Sequence, residues 1–316
     1  MSPEEVPLVV LGMHRSGTSM LMRLCNLLGV HVGGKLIDAR EDNARGFWEH
    51  EEIVALDEKV FRLFSLNSQD VLPFPPEWQS HPGLPALKEE LLAVVRRDLC
   101  GKPLWGLKDP RIGRLLPIWH ELFNRLGLTP RFAIPFRHPL EVANSLVARD
   151  FISLERGLLM WMEYNFDIER FTRGCPRVFV SFDRLFADPA PLVADMERHL
   201  GLRFPTDLGS VRNRIAEFVD PGLRHQRESP ASSGELPDAV GCLYDALLDL
   251  ERAGSTDFSA LDRRRADLLS VLAPCAETLY ALNPPAGIWR QTIEAKQREI
   301  DSLRMKLNRM EADGLP

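Results

Sequence analysis

The segment Gly12-Met-His-Arg-Ser-Gly17-Thr18-Ser19 has the glycine spacing of a Walker A loop, GxxxxGKS/T, with Thr18 in the lysine position. That replacement decides the chemistry. The backbone N–H groups of such a loop and the helix N-terminus behind it cradle any phosphate, whereas the lysine neutralises the outer phosphates of a nucleoside triphosphate. With a guanidinium from Arg15 and hydroxyls from Ser16, Thr18 and Ser19, the loop reads as an anion nest for one phosphate and a transferable neighbour. Triphosphate hydrolysis is disfavoured.

The elements that must hold this loop follow from the pattern around it. Val9, Val10 and Leu11 form a short continuous apolar run of the kind a strand buried on both faces shows, and Thr18 to Leu28 turns helical before stopping at Gly29. The alternation recurs: strand Leu104 to Leu107 with a helix from about Gly113 to Leu126, strand Phe132 to Phe136 with a helix after Pro139, and strand Val178 to Phe182 with a helix near Leu192 to Leu200. Strands alternating with helices predict an α/β fold, a P-loop-like three-layer sandwich around a central parallel sheet. Ligands of such sheets sit beyond the carboxyl ends of the strands, where this chain carries GMHRSGTS, KDPR and RHP.

The 316 residues include 39 Lys plus Arg against 45 Asp plus Glu, a net charge of −6 that gives no general attraction to phosphate backbones and argues against a nucleic-acid partner. The five cysteines lie far apart without metal-ligand spacing and read as reduced core thiols, and no metal is expected. No stretch has the length of a membrane span, and the opening MSPEEVPLVV lacks a signal peptide's basic start and apolar length, so the expected compartment is the cytoplasm. The predicted organisation is one domain over 1–285, with a turn-rich connector at 228–237 leading into amphipathic segments at 238–253 and 259–282. A heptad-patterned helix over 286–316 follows, whose seam Trp289, Ile293, Ile300, Leu303, Leu307 and Met310 offers a route to homo-oligomers through a coiled coil.

The loop resembles that of sulfotransferases that use 3′-phosphoadenosine 5′-phosphosulfate (PAPS), in which an RSGT segment binds the 5′-phosphosulfate. A second match is an arginine at a strand end followed eight positions later by a helical serine, here Arg137 and Ser145 in RHPLEVANS. Pro139 can start the helix, and Ser145 then lies roughly two turns in, so both can converge on a 3′-phosphate. A third match, Lys108-Asp-Pro-Arg111, is similar to a segment whose lysine faces the bridging oxygen of the sulfate donor.

The resemblance spans roughly residues 6–227 and implies a PAPS-dependent sulfotransferase acting on an acceptor hydroxyl, or an amine, of a small molecule, lipid or glycan, with 3′-phosphoadenosine 5′-phosphate (PAP) as product. Arg15, Ser16, Gly17, Thr18 and Ser19 would hold the 5′ end of the donor, Arg137 and Ser145 the 3′-phosphate, and Lys108 the charge of the leaving oxygen. Glu49 stands near the family's catalytic glutamate, with His50 its rival as general base because imidazole titrates near neutrality. A strand-end position that is often tyrosine in the family is Phe182 here, and the late segment 218–227 offers Arg224 or Arg227 to the 3′-phosphate. The tract from Phe61 to Pro85 is expected near the acceptor mouth. Two other readings stay open: a P-loop kinase taking its lysine from Lys108, for which only Asp109 offers a Walker B carboxylate, and a non-catalytic nucleotide-binding assembly module.

Overall fold

A computed structural model describes residues 5–39, 46–75, 77–218 and 236–272. Its sheet consists of β1 (Val6–Val10), β2 (Leu104–Lys108), β3 (Arg131–Phe136) and β4 (Arg177–Ser181), all parallel, in the order β2-β1-β3-β4. The helices are α1 (Thr18–Leu27), α2 (Glu51–Arg62), α3 (Leu84–Asp98), α4 (Ile112–Leu126), α5 (Pro139–Asp150), α6 (Leu154–Phe171), α7 (Pro189–Leu200), α8 (Leu208–Phe218), α9 (Asp238–Ala253) and α10 (Phe258–Leu272).

Strand alternation separates two cores. Leu8 and Val10 of β1 pack with α1, α7 and α8, while Val9 and the following Leu11 turn to the opposite face, against the layer that contains α2 to α6 and α9. This is the three-layer α/β sandwich that the alternating pattern predicts. The helical extension after residue 237 is present as α9, which packs on β4 and α6, and α10, which packs on α9.

The chain leaves β1, pairs β2 on one side and then returns to pair β3 on the other. The carboxyl end of β1 is therefore the point where the strand order reverses, the crevice that open α/β sheets use for ligands. Register brings the neighbours level there, with Val10 beside both Lys108 and Ala133.

Two expectations need correction. β4 ends at Ser181, and Phe182 opens a short 3-10 turn, Phe182–Phe186. The cysteines are not all core thiols: Cys25 is buried, Cys100 and Cys175 are half-buried and Cys242 is exposed, all of them free. Among the described residues no helix is long and apolar enough to cross a membrane. Cys275, Arg224, Arg227, most of the 228–237 connector and the heptad segment 286–316 lie outside the described residues.

Candidate active site

The loop from Gly12 to Gly17 is shaped by backbone that few side chains tolerate. Gly17 has φ +91°, and a Cβ there would stand 2.6 Å from Leu185, while one on Gly12 would stand 2.6 Å from the Pro135 carbonyl oxygen. Arg15, although not glycine, also adopts a left-handed φ of 68°. Such strain persists only where the surroundings hold it, and it clusters at ligand clamps.

Gly17 caps α1 without any side-chain hydrogen bond, so no side chain at the cap claims the first N–H groups of the helix. Beside them, the hydroxyl of Ser16 is buried and has no hydrogen-bond partner. A buried orphan donor next to a helix N-terminus is the polar complement of a phosphate oxygen. The residues present therefore fit an anionic phosphosulfate.

Arg15 and the strand-end arginine form the second half of the site. The Arg15 guanidinium donates through Nε to Ser145 Oγ at 2.8 Å, and Arg137 Nη1 donates to the Arg15 carbonyl oxygen at 3.4 Å. Arg137 is also held by Glu141 at 2.6 Å, and its guanidinium lies 4.2 Å from the centre of the Phe182 ring. Phe182 thus packs against the guanidinium with its ring face, a contact that needs no hydroxyl. The fold brings Arg137 and Ser145 each into contact with Arg15, joining the loop after β1 to the end of β3 and to α5.

Lys108, the last residue of β2, reaches the far side of the same loop. Its Nζ donates to Glu49 Oε1 at 2.5 Å, to the Phe47 carbonyl at 2.9 Å and to Ser19 Oγ at 3.3 Å. An ammonium group therefore stands next to the loop residue that follows Thr18, although the loop itself carries no lysine. Ser19 also donates to the Phe47 carbonyl, at 3.1 Å. It belongs to the Lys108 cluster as well as to the loop, and Thr18 is buried at the first turn of α1.

Glu49 is buried, and its second oxygen accepts from Arg111 at 3.4 Å. Arg111 also binds Asp109 at 2.9 Å and pairs with Glu58, which makes it an anchor for carboxylates. Both catalytic candidates, Glu49 and Lys108, thus meet in one ion pair. His50 does not join them. It caps α2, with Nδ1 accepting from the Ile53 N–H at 3.4 Å and Nε2 facing Asp98 at 2.9 Å. With Nδ1 accepting, the ring proton sits on Nε2 and is given to Asp98, so both nitrogens are spent on structure.

Reading the sequence alone missed His14. Burial, together with Arg111, Arg149, Lys108 and Arg15 nearby, pushes its imidazole well below the usual range, so the ring is neutral. It stands edge-on to Tyr164 of α6 at 5.9 Å, and its Nε2 is buried without a partner. The only signal in the sequence was its place inside the loop. The tract from Phe61 to Pro85 forms an aromatic cluster packed on itself, with Phe74 stacked on Trp78 at 4.3 Å and Phe64 edge-on to both. A cavity of about 240 Å³ lies beside α1, lined by Met20, Leu24, Arg184, Leu185, Phe186 and Phe218 among others.

A scan of protein-family models finds no match, and a search of curated proteins finds none either. Among solved structures, the chain is similar to the sulfotransferase domain of the Synechococcus PCC 7002 olefin synthase, at 17% identity over 86% of this chain and 96% of that one, with a TM-score of 0.43. It is also similar to sulfotransferase STF1 of Mycobacterium tuberculosis H37Rv, at 17% identity over 80% of this chain and 78% of that one, with a TM-score of 0.44. A third similar structure is the sulfotransferase domain of the curacin biosynthetic pathway, at 16% identity over 84% and 97% of the two chains, with a TM-score of 0.36.

Proposed function

We propose that this protein is a sulfotransferase that moves a sulfuryl group from PAPS to an acceptor hydroxyl. The observation that carries this reading is the convergence of Arg15, Arg137 and Ser145 on one side of a lysine-free phosphate loop, with Lys108 on the other. A single phosphosulfate needs the loop N–H groups and Ser16. A separate 3′-phosphate needs a guanidinium and a hydroxyl of its own, which Arg137 and Ser145 supply beside Arg15. The apolar cavity that touches Met20 and Leu185 offers a face for the purine.

In the transfer, the acceptor oxygen attacks sulfur as the bond from sulfur to the bridging oxygen breaks, and the electron pair of that bond stays on the 5′-phosphate of the product PAP. Lys108 offsets the charge that develops on the bridging oxygen, and Glu49 takes the proton of the acceptor hydroxyl. Because the two are paired at 2.5 Å, donor binding must draw the ammonium toward the phosphosulfate, which frees a carboxylate oxygen for the acceptor. The acceptor, a hydroxyl-bearing small molecule or glycan, approaches from the Glu49 side. Most of the rate comes from positioning and fixed charge.

A kinase reading loses its acidic residue, because Asp109 is fully buried and its Oδ1 is committed to Arg111. The test is thermal stabilisation by PAP against ATP with magnesium, followed by transfer of labelled sulfate from PAPS. Stabilisation by PAP at lower concentration than ATP is expected. A preference for ATP overturns the proposal, and PAP binding without any transfer leaves the assembly-module reading in its place.

A further inference from the structure

Behind the Lys108 cluster lies a pair of acids that no step above uses. Asp57, on the inner face of α2, and Asp109, just after β2, are both fully buried. Asp57 Oδ1 accepts from Trp119 Nε1 at 3.2 Å, and Asp109 Oδ1 accepts from the Arg111 backbone N–H at 3.0 Å and from its guanidinium at 2.9 Å. Each acid then has one oxygen, Oδ2, that is buried and receives no N–H or hydroxyl proton from another residue. Asp109 bears directly on Asp57, which it raises both as a like charge and as a side-chain hydrogen-bond neighbour. Two carboxyl groups can be such neighbours only through a proton.

We propose that Asp57 and Asp109 share one proton at neutral pH, carried by Asp57 and donated to Asp109, and that this buried acid pair positions Arg111 and, through it, Glu49. The proton belongs on Asp57 because Asp109 has the guanidinium and Asp57 has only an indole N–H. Burial and the neighbouring Asp109 both push Asp57 well above the usual carboxylate range, and burial raises Asp109 against the pull of Arg111.

Charge balance points the same way. Around Lys108 and Arg111 stand Glu49, Glu58, Asp109 and Asp57, four acids for two cations if all were ionised. The charged side chains that α3 turns to α2, Glu90 and Arg97, are engaged with Lys59 and Glu52 farther out. A retained proton removes one negative charge beside a site that must receive an anionic donor. It also leaves Asp109 as a hydrogen-bonded carboxylate aimed at Arg111, and Arg111 is the second contact of Glu49.

The positioning half of the inference rests on the sulfotransferase reading, whereas the shared proton does not. The experiment is infrared difference spectroscopy of the full chain at pH 7 in a Glu163→Gln background, which removes another buried acid. A carbonyl band of a protonated carboxylic acid is expected, and it should vanish on Asp57→Asn. Absence of the band, or its survival in Asp57→Asn, overturns the proposal.

For positioning, Asp57→Ala is expected to lower kcat by on the order of 10²-fold with PAP affinity kept, and Asp57→Asn, whose amide can still donate to Asp109, to restore most of that rate. Equal losses in the two variants overturn the positioning role. If Asp57→Ala does not fold, the asparagine variant decides through its pH profile: thermal stability should fall less with rising pH than in the parent chain, and an identical profile overturns the shared proton. Should the parent chain transfer no sulfate, the assignment of function fails while the infrared band still judges the acid pair.

Discussion

Arg15 and Ser145, from the phosphate loop and the middle of α5, are joined by a 2.8 Å hydrogen bond that ties the two halves of the candidate site together. In this contact the serine oxygen accepts from Arg15, which leaves its own O–H to donate to a phosphate oxygen. Ser145→Ala should therefore weaken PAP binding by roughly tenfold, the worth of one charge-assisted hydrogen bond. Calorimetry with adenosine 5′-phosphosulfate, which has no 3′-phosphate, should show little change. An equal loss for both ligands would place Ser145 elsewhere in recognition.

Gly17 is required twice over, by its left-handed backbone and by Leu185 and Phe182, which fill the space a Cβ would need. Gly17→Ala must strain the backbone and push Leu185, part of the core over α1 and α7. A stability loss of about 1–3 kcal/mol is expected by denaturant titration, together with loss of stabilisation by PAP. Unchanged PAP binding would show that the loop N–H groups do not hold the ligand.

Lys108 and Glu49 should separate in kinetics from the binding residues. Lys108→Ala removes the cation at the leaving oxygen and should lower kcat by about 10²–10³-fold with little change in PAP affinity. Glu49→Gln keeps the shape and removes the proton acceptor, so it too should act on kcat. A change in PAP affinity as large as the change in kcat, for either variant, would reassign that residue to donor binding.

The strands and the loop were legible because each is a short apolar run that stops at a polar motif, and because motif order fixes which strand ends meet. Elements whose signal is reversed by burial were not. Helix α6 turns Glu163, Asn165, Asp167 and Glu169 into the interior, and its Gly157 meets the backbone of Ala143, so its polar residues imitate a solvent face that it does not have. Within the site, Arg137 and Ser145 lie at the end of one strand and in the helix that follows it, so the family motif they resemble could be read along one stretch of sequence. The union of Lys108 with Glu49 joins β2 to the residue before the cap of α2. His14 against Tyr164 and Asp57 against Asp109 likewise join elements distant in sequence. No local period encodes such contacts, and only β pairing and helix packing create them.

Glu163 offers a test of the fold that is independent of catalysis. It is buried on α6, neither of its oxygens has a hydrogen-bond partner, and burial raises its pKa to about 7 against the pull of Arg114. The folded state therefore holds a proton that the unfolded chain releases near pH 4.3, the ordinary value for glutamate. The sign follows from linkage: this contribution to stability is complete below about pH 4.3, is lost progressively as pH rises toward about 7, and stays lost above it. Glu163→Gln lacks the dependence, so its stability relative to the parent chain should rise across that interval by on the order of 3 kcal/mol. Chemical denaturation at pH 5 and pH 8 measures this directly, and a constant difference between the two chains would mean that Glu163 ionises as an ordinary carboxylate in the folded protein.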